Sequence, residues 1–113
     1  MIRVEVNGRN IRKGIAGDCR ACPVALSLND ATGRSCEVAL TEWFWYIGVG
    51  GLFMKAPDEV IEFVLGFDRL EKVESLAELP DELRPFAFEI PDLDSPEWSV
   101  RPVRPVEVYG GER

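Results

Sequence analysis

Apolar residues occupy alternate positions at the start of the chain, Ile2, Val4 and Val6, with Arg3 and Glu5 between them. That is the period of a half-buried strand. Asn7-Gly8 then signals a turn. Arg9 to Asp18, with Gly14 and Gly17, reads as a turn or short helix followed by a loop. The period changes to helical after Cys22. Ala21, Val24, Ala25, Leu28 and Ala31 form one stripe, Pro23 suits only a first turn, and Cys22 is the N-cap candidate. Thr32-Gly33 ends this helix, with Gly33 where a left-handed backbone is favoured.

From Ser35 to Ile47 the pattern is β-like. Cys36, Val38 and Leu40 share one face, and Trp43 to Ile47 loses the alternation as a strand covered on both faces would. Gly48 to Gly51 reads as a hairpin connection and Leu52 to Met54 as the returning strand. Ala56-Pro57-Asp58-Glu59 starts a second helix with proline at its first position, striped by Val60, Phe63, Val64 and Phe67 and widened by Ile61 and Leu65. Ser75-x-x-Glu78 has the form of a capping box, cut short by Pro80. Pro85 to Pro91 reads as an edge strand bracketed by prolines. Pro96, Pro102 and Pro105 mark an extended tail in which Val106 to Tyr109 is a candidate last strand.

These elements predict an α+β fold, a small antiparallel sheet of four or five strands with two helices packed on one face. The chain has 113 residues, the usual size of one domain. Residues 1–95 are expected to form it, with 96–113 as the tail.

Composition narrows the function classes. With 46% hydrophobic and 29% charged residues the chain is globular rather than disordered. Met1 to Glu5 alternates charged with apolar residues and has no apolar run, so a signal peptide is not expected. Its longest uncharged apolar run, between Glu42 and Lys55, holds 12 residues, against the ~20 that span a bilayer. A soluble, cytoplasmic protein without membrane partners is expected. There is no histidine, which removes Ser-His-Asp, Cys-His and His-metal chemistry. Net charge is −7, unevenly spread. Residues 1–34 carry six basic side chains against three acids, whereas 35–113 carry 7 bases and 17 acids. Such a surface repels phosphate and disfavours duplex nucleic acid.

The most chemically pointed feature is the step Cys19-x-x-Cys22-Pro23 into a helix. A helix N-terminus stabilises a thiolate, so a thiol redox pair is one reading. A zinc site from Cys19, Cys22 and Cys36 is another, with a carboxylate such as Asp18 or Glu37 needed as fourth ligand. The plain alternative is that Cys22 caps the helix and Cys36 fills a core position. The same place offers an anion or nucleotide site, because Arg9, Arg12, Lys13 and Arg20 with Cys22 surround glycines and a helix start. Gly14-x-x-Gly17 lacks the Gly-Lys-Ser/Thr ending of a P-loop. No catalytic pair of carboxylates stands out, and no cofactor is expected.

Trp43 and Trp45 lack the interleaved basic residues of a nucleic-acid stacking platform. They suit core packing or a protein partner. Glu71, Glu74 and Glu78 add an acidic surface able to engage a basic protein.

The run Ile11-x-x-Gly14-x-x-Gly17-Asp18-Cys19-x-x-Cys22-Pro23-Val24-Ala25-Leu26 resembles a signature in small uncharacterised proteins of phages and bacteria. Two further blocks, Phe63-x-x-x-Phe67-Asp68 and Pro85-Phe86-x-Phe88-Glu89-Ile90, share the resemblance. It implies a phage accessory protein that acts on a host or phage protein and assigns no role to any residue. The leading expectation is therefore a small acidic, non-enzymatic binding protein.

Overall fold

A computed structural model of the chain describes residues 1–40, 44–68 and 83–100. In chain order its elements are β1 (Ile2–Val6), α1 (Gly8–Lys13), α2 (Pro23–Thr32), β2 (Cys36–Leu40), β3 (Trp45–Val49), β4 (Leu52–Lys55), α3 (Asp58–Phe67) and β5 (Phe86–Ile90). The fold is α+β, as the patterning indicates. Its strands do not form the single sheet expected. Among the described residues there are two antiparallel sheets, β1 with β5, and a meander in the order β2-β3-β4.

The division follows from what succeeds β1. The side chain of Asn7 accepts a hydrogen bond from the Asn10 backbone N–H at 2.9 Å, which caps α1 where a turn was expected. With two helices next in the chain, β1 has no hairpin neighbour and pairs instead with β5, from Ile2 opposite Ile90 to Val6 opposite Phe86. Helix α2 packs on β1 and also on β2 and β3, so it lies between the sheets. Among the described residues there are three helices, where two were expected, and α1 packs on α2.

The two ends of α2 form as the sequence indicates. The Cys22 Sγ accepts from the Ala25 N–H at 3.5 Å, Pro23 occupies the first turn, and Gly33 closes the helix at φ +70°. Its buried face is Pro23, Val24, Ala25, Ser27 and Leu28, whereas Ala31 is exposed. Ser27 is buried in place of an apolar residue because its Oγ donates to the Pro23 carbonyl at 2.7 Å and accepts from Asn10 Nδ2 at 3.0 Å. The α1–α2 contact is thus built on a satisfied polar pair.

In the meander, β3 runs on through Gly48 and Val49, and the turn is Gly50-Gly51 alone. Both turn residues have positive φ, as a two-residue hairpin that matches strand twist requires. Pro57 is the N-cap of α3 rather than its first residue, and Val60, Phe63, Val64 and Phe67 form the expected buried face. Phe63 meets Phe86 of β5 at 5.1 Å between ring centroids. Beyond β5, Trp98 is buried and its Nε1 donates to the carbonyls of Pro91 and Asp92. Ser99 and Phe53 exchange backbone hydrogen bonds of 2.7 and 2.8 Å, which hold this segment to β4. The candidate strand at 106–109 and the capping box at 75–78 lie outside the described residues. Among the described residues, no helix is long and apolar enough to cross a membrane.

Candidate functional site

The loop between α1 and α2 is fastened at both sides. The Cys19 carbonyl accepts from the Val38 N–H of β2 at 2.8 Å. On the other side the Gly17 N–H donates to Asp68 Oδ1, at the end of α3, at 3.0 Å. Within the loop, Asp18 Oδ1 accepts from the N–H groups of Arg20 and Ala21 at 2.9 and 3.1 Å. The Asp18 carbonyl accepts from Ala21 and Cys22 at 3.3 and 2.9 Å, which winds 18–22 into one turn that leads into α2.

These attachments wall a cleft of about 290 Å³ between the start of α2, the β2–β3 pair and the end of α3. Its apolar lining is Val38, Ala39, Leu40, Trp45 and Val64, and Gly17, Cys19 and Cys22 complete the loop side. Leu40 is 59% exposed, a large apolar side chain left open to solvent at the cleft. Among the described residues, the charged members of the lining are Asp18 and Asp68. Among the described residues neither makes an ion pair, and each accepts backbone N–H bonds through its Oδ1.

The thiols differ from one another. Cys19 is exposed; Cys22 and Cys36 are buried. Burial raises the pKa of Cys22, the N–H groups of Ala25 and Val24 oppose the rise, and the nearby Asp68 and Cys19 add to it. Burial also raises that of Cys36, against a hydrogen bond with Thr32 and the charge of Arg34. The Cys36 Sγ lies 3.4 Å from Thr32 Oγ1 and 3.3 Å from the Arg34 carbonyl, away from the cleft lining. Cys36 thus ties the end of α2 to the start of β2. Among the described residues, no three Cys, Asp or Glu side chains gather in a way that could hold a metal ion.

The basic residues that suggested an anion site lie elsewhere. Arg9 pairs with Asp30 of α2 at 3.4 Å. Arg12 and Lys13 are exposed in the last turn of α1, where cations favour the helix dipole, and Arg20 is exposed on the loop. None of the four lines the cleft. Trp45 does, whereas Trp43, Glu71, Glu74 and Glu78 lie outside the described residues. The patterning did not single out Asp68 or Val64 for this site, nor Asp18 except as a metal ligand. Asp68 is held to the loop that carries Asp18 by the Gly17–Asp68 hydrogen bond, which has no local signature. Compared with protein-family models, curated proteins and solved structures, the chain matches none.

Proposed function

We propose that the chain is a non-enzymatic binding protein whose cleft receives a lysine or arginine side chain from a basic protein partner. The observation that carries this reading is the lining among the described residues: an apolar floor, two carboxylates that make no ion pair there and no basic residue. A lysine or arginine is apolar along its stem and charged at its tip, so the stem would lie on Val38, Leu40 and Val64 and the cation would meet Asp18 and Asp68. The Trp45 ring adds a face that attracts a cation. The net charge of −7 steers a basic partner toward the protein over a longer range. The phage-type signature adds that the chain is phage-encoded and meets a host protein in the cytoplasm of the infected cell.

Titration with short arginine- or lysine-bearing peptides, with glutamate-bearing peptides as controls, tests the reading. Asp68→Asn retains an oxygen to accept from Gly17 and removes one charge. It is expected to weaken the basic peptides roughly three- to fivefold, on the scale of about 1 kcal/mol for an exposed ion pair. Added salt is expected to weaken them further. Equal affinity for acidic peptides, or no response to Asp68→Asn, would sink the proposal.

A further inference from the structure

The binding reading leaves the two thiols of the cleft unused. We propose that Cys19 and Cys22 are an attacking and resolving thiol pair, which closes to a disulfide when a small disulfide such as oxidised glutathione reaches the cleft.

The turn provides the geometry. Successive hydrogen bonds from Ala21 and Cys22 to the Asp18 carbonyl place Cys19 and Cys22 three residues apart on one turn. A tight turn keeps residues three apart within roughly 7 Å at Cα, near the ~4.4–6.8 Å between Cα atoms that a disulfide bridges. Both side chains line the same cleft, while Cys36 does not. Any adjustment is local, because the Cys19 carbonyl is fixed to Val38 and Cys22 sits at the helix cap. Exposure divides the roles. Cys19 is open to solvent and meets the oxidant; Cys22 is 3% exposed and is reached by its neighbour rather than by bulk reagent.

The chemistry balances in two exchanges. The Cys19 thiolate attacks one sulfur of oxidised glutathione, forms a mixed disulfide and expels one glutathione thiolate. Cys22 loses its proton to solvent and attacks the Cys19 sulfur. The Cys19–Cys22 bond forms as the second glutathione thiolate leaves. Two protein thiols are oxidised by two electrons, and one glutathione disulfide is reduced to two thiols.

The full-length chain is reduced, freed of reductant and incubated with graded oxidised glutathione. Free thiols are then counted under denaturing conditions, and the digest is mapped. The expected result is a fall from the three free thiols present to one, with Cys19 linked to Cys22 and Cys36 unmodified. Cys22→Ser is expected to stop at a glutathione adduct on Cys19, and Cys19→Ser to take up no glutathione at Cys22 over the same time. A wild-type chain that stops at the Cys19 adduct, links Cys36, or cross-links between chains overturns the pair. Cys36→Ser is expected to behave as wild type, which separates the pair from any general loss of fold.

Discussion

Gly14→Ala tests how the cleft loop is anchored. Gly14 ends α1 with its N–H on the Asn10 carbonyl at 2.8 Å, in an extended conformation (φ −65°, ψ 148°) that alanine adopts freely. Its conformation therefore does not demand glycine, but its surroundings do. A Cβ at this position would lie 2.4 and 2.5 Å from Cδ and Cγ of Pro23 and 2.7 Å from the Pro23 nitrogen. The ring is rigid and buried, and the nitrogen belongs to the first turn of α2, so relief requires that α1 and α2 separate. Overpacking of this kind costs about 1–3 kcal/mol, and backbone atoms among the clashes place it near the top of that range. Alanine offsets about 0.4–1 kcal/mol by restricting the unfolded chain. A net loss of about 1–2.5 kcal/mol follows, or roughly 4–10 °C in Tm for a domain of this size. Urea unfolding followed by tryptophan fluorescence measures it. Pro23→Ala removes the two nearest atoms and leaves the nitrogen, so the double variant is expected to lose about 1 kcal/mol less than the sum of the singles. A Gly14→Ala chain as stable as wild type, or additive single effects, refutes the close approach as the reason for glycine.

Asn10→Ala removes the bonds to Ser27 and Asp30, both 3.0 Å, and is expected to cost about 1–3 kcal/mol in urea unfolding. An unchanged midpoint would deny the polar pair any part in the α1–α2 contact. Trp98→Phe keeps an aromatic ring but removes the indole N–H that donates to two carbonyls, with an expected loss of at least about 0.5–1.5 kcal/mol; equal stability would contradict the anchoring of residues 91–100. Cys22 and Cys36 hold their protons above the reference thiol pKa of 9.0, so the folded chain binds more protons than the unfolded one as pH rises through that value. Stability is fully present below it and falls above it, by at most about 1.4 kcal/mol per pH unit for each thiol. Unfolding midpoints of wild type and Cys22→Ala/Cys36→Ala across this window should diverge in slope, and parallel profiles would contradict the burial argument.

What could be read from the sequence was local. Cys22, Pro23 and Gly33 mark the limits of α2 because caps and a first-turn proline act within a few residues. The stripe Val60, Phe63, Val64, Phe67 marks α3 because one buried face imposes its period. The pairing of β1 with β5 is a long-range choice with no signal at either strand, so one sheet was expected where two formed. In the sequence Gly48 groups with the turn glycines, for lack of a distinguishing neighbour. In the fold it is a strand residue whose Cβ would come within 2.9 Å of the Phe53 ring. Ala31 fits the helical stripe, but the buried face of α2 is set by Ser27 and its contact with α1. At the candidate site, the Cys-x-x-Cys step and Trp45, both marked by the sequence, border one cleft. One alternative placed an anion there, because the bases of residues 9–20 are close together in the chain. None of Arg9, Arg12, Lys13 and Arg20 is among the cleft's lining residues, and the two acids that line it, Asp18 and Asp68, are distant from each other in sequence.

The claim that this cleft receives a basic side chain is tested most directly by locating the bound peptide. Backbone amide shifts are followed while an arginine-bearing peptide is titrated into the full chain. The account requires the saturable changes to concentrate at Gly17, Asp18 and Cys19, at Val38 to Leu40 and at Asp68, and to weaken in Asp68→Asn. Changes centred on another surface, with these residues unmoved, would contradict it.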